Sequence, residues 1–178
     1  MKHNLEVCFS PALYDLYHNP EAVVVVVDIL RATSAICTAF MNGARYIIPV
    51  GSLDEARIWK EKGHLVAAER DGIVLDFADF GNSPYNFTPE RVREHDIVYS
   101  TTNGTNAIHK AAGSSAVVVG SYLNLGALTE WLKRKDRDVV ILCAAWKDKF
   151  SLEDALFAGA LSYHLLQSGL YASICDSV

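Results

Sequence analysis

The chain has 178 residues, a one-domain length; 51% are hydrophobic, and 16 Lys plus Arg face 21 acids for a net charge of −5. That balance argues against non-specific nucleic-acid binding, which is driven by phosphate neutralisation, but leaves room for a small anionic substrate held by a few local cations. Cys8, Cys37, Cys143 and Cys175 form no CxxC pair, so zinc-site spacing is absent and a reduced, cytoplasmic protein is expected; the apolar runs fall short of the 18 or so residues of a membrane helix, and residues 1–10 lack a signal peptide's apolar centre.

In chain order, residues 4–9 read as a first short strand. Five consecutive valines, Val23 to Val27, suit a strand buried on both faces, as in a parallel sheet covered by helices. Residues 33–42 read as a helix closed by Gly43, and 46–50 as a strand. Ser52 and Glu55 form a capping box for the next helix, which Gly63 ends. A short apolar strand over 65–68 runs into Glu69-Arg70. Residues 71–88, rich in Gly, Asn, Asp and Pro, carry Phe77, Phe80, Tyr85 and Phe87; a long loop of this kind is expected to be ordered and near the site. Thr88-Pro89-Glu90 starts a helix.

Residues 97–100 predict a strand, 105–112 a helix, 117–120 a strand, and Asn124 caps a helix to about Lys135. A strand over 139–144 precedes a long helix over 152–167. Repeated β-loop-α units predict a three-layer α/β/α fold with a largely parallel or mixed central sheet. Strand, polar loop, Ala-rich helix, Gly and strand recur in 23–50 and 97–120, a hint of internal repetition.

Ligands in open α/β sheets sit beyond the carboxyl ends of the strands, and four strands here deliver polar groups to those ends. Asp28, directly after the valines, suits a Mg²⁺ ligand or a nucleophile towards phosphorus; an N-cap is the alternative. Aspartate-dependent phosphatases need a second Asp two positions on, where this chain has Leu30. Arg31 offers a planar fork for an oxyanion, or a salt bridge to Asp28. Thr33 and Ser34 suit anion binding or capping.

Glu69 and Arg70 read as a metal ligand and an anion clamp, or as a surface ion pair. The turn Ser100-Thr101-Thr102-Asn103-Gly104-Thr105 is rich in hydroxyls and amides for a phosphate, with Gly104 permitting close backbone approach; an Asn-Gly turn is the alternative. Ser151 and Asp154 form a capping box, leaving Glu153 as a possible ligand. Cys143 at a strand end is a nucleophile candidate or a small buried residue. The cysteine phosphatase loop places Arg six positions after the Cys, where this chain has Lys149.

Val27-Asp28-Ile29-Leu30-Arg31-Ala32-Thr33-Ser34, Ala68-Glu69-Arg70, Gly81-Asn82-Ser83-Pro84, the Ser100 to Thr105 turn and Glu153-Asp154-Ala155 together resemble the 2-phosphosulfolactate phosphatase family. The resemblance implies a Mg²⁺-dependent α/β/α phosphatase that releases phosphate and sulfolactate in coenzyme M synthesis. Asp28, Arg31, Asn82, Ser100 to Gly104, Cys143 and Glu153 fall on its motif positions. From their chemistry, Asp28, Arg31 and Cys143 are assigned to catalysis. Arg31, Thr33, Arg70, Asn82, Ser100, Thr101, Thr102, Asn103 and Gly104 are assigned to the phosphate ester, and Asp28, Glu69 and Glu153 to Mg²⁺.

Arg70, Lys147 and Lys149 are candidates for a sulfonate subsite, and a homodimer is expected. Two departures stand out: the family's glycine-rich loop after Cys143 reads Ala144-Ala145-Trp146-Lys147-Asp148-Lys149 here, and the chain stops some tens of residues before the usual family end, so one domain lacking that segment is expected. Two alternatives stay open: a non-catalytic anion-binding module of the same fold, and a phosphatase for another phosphorylated acid.

Overall fold

A computed structural model describes residues 2–70 and 72–178. Its strands are β1 (His3–Cys8), β2 (Val23–Val27), β3 (Tyr46–Pro49), β4 (Leu65–Arg70), β5 (Ile73–Val74), β6 (Asp96–Ser100), β7 (Ala116–Gly120), β8 (Val139–Cys143) and β9 (Tyr171–Ser173). The helices are α1 (Ala32–Met41), α2 (Leu53–Glu61), α3 (Pro89–Val92), α4 (Gly104–Lys110), α5 (Leu125–Lys133) and α6 (Leu152–Gln167), with 3₁₀ turns at Pro11–Leu16 and Pro84–Asn86.

The valine run becomes β2, the second strand of a five-stranded sheet ordered β7-β2-β8-β1-β9, parallel throughout. Alternation of side chains across a strand explains why every position is apolar. Val23, Val25 and Val27 pack with Leu128 and Leu132 of α5 and Phe157, Leu161 and Leu165 of α6. Val24 and Val26 face the other way, onto Ala107 and Ala111 of α4 and Tyr14 of the first 3₁₀ turn. Burying one Val stabilises by roughly 1.5–3 kcal/mol, so a polar residue at any of these positions breaks one face.

The fold is three-layered, mostly parallel α/β, as the repeated β-loop-α units predict, but the strands divide between two sheets. The second sheet runs β3-β6-β4-β5, parallel except for the β4–β5 hairpin. Two crossovers join the sheets reciprocally. From β2 the chain enters α1, whose Ala32, Ala35, Ile36 and Ala39 pack on Ile97 and Tyr99 of the second sheet, and then β3. From β6 it enters α4, which packs on the first sheet, and then β7. The repetition seen in 23–50 and 97–120 is therefore a pair of opposite exchanges.

Several boundaries differ from the sequence reading. Strand β4 continues through Glu69 and Arg70 because β5 pairs with both residues. The loop expected over 71–88, of which Asp71 lies outside the described residues, contains β5 and the second 3₁₀ turn. It buries Phe80 and Phe87 in the second sheet's core, while Tyr85 is exposed. Asn124 stands at the N-cap position of α5 as expected but makes no side-chain capping bond; its amide accepts from the Ser121 N–H at 2.9 Å and donates to the Val119 carbonyl at 3.0 Å. No helix among the described residues is long and apolar enough to cross a membrane.

Candidate active site

A crevice of about 310 Å³ opens between the turns that follow β2 and β6. Asp28, Arg31, Glu69, Asn82, Thr101, Thr102 and Asn103 line it, together with Leu30, Gly72, Trp146 and Lys147. Groups delivered by separate strand ends therefore converge. The two turns share a construction. Thr33 Oγ1 accepts from the Asp28 N–H at 3.1 Å and donates to the Asp28 carbonyl at 2.9 Å. Thr105 Oγ1 accepts from the Thr101 N–H at 3.3 Å and donates to the Thr101 carbonyl at 2.6 Å. Each threonine, the second residue of its helix, holds the strand end that precedes it.

The turns approach closely at Gly104. A Cβ there would stand 2.6 Å from Ala32 Cβ and 2.9 Å from Asp28 Oδ2, so only glycine lets α4 begin against Asp28. One oxygen of Asp28 is committed, since Oδ1 accepts the Ala32 N–H at 3.2 Å. That bond partly fulfils the capping alternative, but it leaves Oδ2 facing Gly104. Burial first, then the charge of Asp154, push Asp28 up to about 7, with Glu69 and Glu153 adding to the rise. Tyr99, beneath the turns, is raised well above its ordinary value by burial and by the charges of Asp28 and Glu69. Its neutral hydroxyl donates to the Ala32 carbonyl at 3.4 Å.

Glu69 is buried and its Oε2 accepts from the Gly72 N–H at 2.7 Å. Asn82 Oδ1 is buried with no hydrogen-bond partner among the described residues, an arrangement that ordinarily signals a missing partner. Two carboxylates and an orphaned amide oxygen make a hard-oxygen set. Magnesium characteristically uses one or two carboxylates plus water and a substrate phosphate, so Asp28, Glu69 and Asn82 fit that ion. No group of three or more His, Cys, Asp or Glu side chains suited to a metal occurs among the described residues, which excludes a full protein cage but not this smaller set. Arg31 lines the crevice without a salt bridge to Asp28.

Of the residues assigned from the sequence, Thr33, Arg70, Ser100, Gly104, Cys143 and Glu153 are absent from the crevice lining. Thr33 is fully buried and its hydroxyl is spent on the turn, so it holds Asp28 and is no phosphate ligand. Cys143 lies in the first sheet's core, and burial raises its thiol far from thiolate formation; as a nucleophile it is ruled out by inaccessibility. Ser100 is fully buried, accepting from Arg70 at 3.1 Å, which makes it a support for Arg70. Glu153 is absent from the lining and acts on Asp28 through its charge.

Asp154, read from its spacing as a helix cap, does more than cap. It is buried, and its two carboxylate oxygens accept the Ile29 N–H at 2.9 Å and the Ala145 N–H at 3.3 Å, tying the turn after β2 to the loop after β8. That loop carries the departure from the glycine-rich pattern. Ala145, Lys147 and Asp148 all hold positive φ, at 60°, 51° and 60°, the region glycine enters without cost. Trp146 and Lys149 exchange backbone hydrogen bonds at 3.0 Å, closing a tight turn of the primed type. The turn sets Trp146 and Lys147 on the crevice rim, a contribution that only the unusual loop composition could have signalled.

A family model described as 2-phosphosulpholactate phosphatase matches residues 8–178. A protein of Caldanaerobacter subterraneus subsp. tengcongensis named probable 2-phosphosulfolactate phosphatase is 41% identical over 152 residues, covering 83% of this chain and 63% of its own. A protein of the same name from Thermotoga maritima is 42% identical over 146 residues, with 82% and 63% covered. One from Pseudothermotoga lettingae is 40% identical over 161 residues, with 90% and 68% covered. The chain thus spans about 63% of the length of the first two relatives.

Proposed function

Because the chain belongs to the 2-phosphosulfolactate phosphatase family, we propose that its crevice hydrolyses a small acidic phosphate monoester, 2-phosphosulfolactate, to sulfolactate and phosphate. The observation that carries this reading is the meeting of Asp28, Arg31, Glu69, Asn82 and the Thr101–Thr102–Asn103 turn in one crevice. Oxyanion chemistry needs such a mixture: acids to hold a cation and cations to hold the phosphoryl oxygens.

Asp28 and Glu69, with Asn82 Oδ1, are the groups that would hold Mg²⁺; when bound, that ion neutralises charge on the phosphoryl group. Arg31 binds phosphoryl oxygens through its planar fork, and Lys147 adds positive charge at the rim. These fixed charges act where the phosphoryl negative charge redistributes, which is usually the largest catalytic contribution. Asp28 must be ionised to ligate a metal, to accept a proton from the attacking water or to attack phosphorus itself. Burial and neighbouring acids raise its pKa to about 7 in the metal-free site, so protonation competes with Mg²⁺ for Asp28 as the pH falls. In hydrolysis a water oxygen bonds to phosphorus as the ester P–O bond breaks; the water's proton ends on the released oxygen, which leaves as the sulfolactate hydroxyl, and the phosphoryl group leaves as phosphate. Trp146 and Leu30 cover apolar parts of the crevice wall.

A second reading, an anion-binding module without turnover, draws on the loop after β8, where three non-glycine residues occupy left-handed backbone. Phosphate release from 2-phosphosulfolactate, with Mg²⁺ and with EDTA, separates the two. Release that EDTA abolishes is the expected result; binding of sulfolactate and phosphate by folded protein without release would favour the module.

A further inference from the structure

A second cavity, of about 420 Å³, adjoins the crevice and shares the Thr101–Thr102 wall with it. Arg70, Asn106 and His109 line it, beside Gly51 and Thr105. The two spaces differ in charge. The crevice mixes Asp28 and Glu69 with Arg31 and Lys147; the second cavity carries Arg70 and His109 and, among its described lining, no acid.

Arg70 is held in place by neutral groups. Its Nη1 donates to the Glu69 carbonyl at 2.6 Å and the Ser100 carbonyl at 3.3 Å, and its Nη2 donates to Ser100 Oγ at 3.1 Å. Three bonds use three of five guanidinium N–H groups, and none goes to a carboxylate, so the charge remains available. Thr105 is spent on its turn, whereas Thr102, Asn106 and His109 make no side-chain hydrogen bond among the described residues. A cation fixed by backbone carbonyls, with a hydroxyl, an amide and an imidazole around it, suits a planar or trigonal oxyanion.

We propose that this cavity is a second anion subsite, holding the carboxylate or sulfonate of the substrate that is not transferred. The subsite rests on the phosphatase reading and deepens it. The ester straddles Thr101 and Thr102, with its phosphoryl group beside Asp28 and one of its two other acid groups beside Arg70. Selection for phosphorylated acids over neutral phosphomonoesters follows, because a neutral ester leaves Arg70 without its anion.

The test is equilibrium binding of sulfolactate and of inorganic phosphate to the wild type, to Arg70→Lys and to Asn106→Ala/His109→Gln. The last variant changes only exposed side chains, and thermal melts confirm folding. Both variants are expected to weaken sulfolactate about tenfold while leaving phosphate within about twofold. Lactate and isethionate, run in parallel, tell whether the carboxylate or the sulfonate is held. Equal weakening of sulfolactate and phosphate, unchanged sulfolactate affinity, or no sulfolactate binding by the wild type would each overturn the subsite. Phosphate release from the ester is scored separately, so loss of the phosphatase reading is visible apart from loss of the subsite.

Discussion

Strands β2 and β8 lie side by side in the first sheet, both buried from end to end, yet their carboxyl ends differ in kind. Beyond β2, Asp28 keeps one carboxylate oxygen free of protein donors, and its acidity is displaced to about 7. At the end of β8, Cys143 is sealed in the core, and the carboxylate that meets the following loop, Asp154, has both oxygens bound to backbone N–H groups. Burial and a shifted pKa are therefore shared by site and scaffold; Asp154 is raised too, chiefly by burial. What separates them is whether polar atoms are spent within the protein. Thr33 and Thr102 repeat the lesson, the first consumed by its turn and the second exposed along the crevice wall.

Truncation should break the contrast most sharply at Asp154. Asp154→Ala orphans the Ile29 and Ala145 N–H groups, each costing about 1–3 kcal/mol when buried, so thermal unfolding should report a loss of roughly 3 kcal/mol. At Asp28 the opposite sign is expected. Asp28→Asn removes an acid that folding makes harder to ionise, and should raise stability at pH 8 by on the order of 1–3 kcal/mol. A loss of stability there would mean that Asp28 is scaffold.

The pH dependence sharpens the comparison further. Asp28 loses its proton near 3.8 when unfolded and near 7 when folded. The native state thus binds the extra proton between those values, and without Mg²⁺ stability should fall as pH rises from about 4 to about 7, then level off. Melting temperatures across pH 4–8 check this, with a shallower fall in Asp28→Asn; Asp154 and Glu6, raised in the same direction, contribute to the residual slope. Mg²⁺ should restore more stability at pH 8 than at pH 6, because it competes with that proton. The smallest effect is expected at Cys143. Cys143→Ala should cost about 1 kcal/mol and leave the rate of phosphate release near wild type, whereas a loss of orders of magnitude would restore the thiol as nucleophile.

The valine strand was legible because burial on both faces demands an apolar residue at every position, and Asp28 because an acid interrupts that demand at a strand end. The division into two sheets was not legible. Whether a helix returns to its own sheet or crosses to another depends on the surface its apolar face meets, as with Ala35 and Ala39 of α1, and no local pattern records that. Strand β9 is three residues long, too short for a period to show. The spacing from Ser151 explained Asp154 well enough to hide its larger role, since Ile29 is 125 positions away. Thr33 and Cys143 misled for a related reason: residue type suggests what a group can do, but its hydrogen bonds and burial decide whether it is free to do it.

The most direct measurement is the rate of phosphate release from 2-phosphosulfolactate by wild type and Asp28→Asn at pH 8 with saturating Mg²⁺, both shown folded by thermal melts. The wild type is expected to turn over and the variant to lose at least about a hundredfold in rate, while melting no lower in the absence of Mg²⁺. A folded variant that keeps the wild-type rate would remove Asp28 from the chemistry and contradict the account.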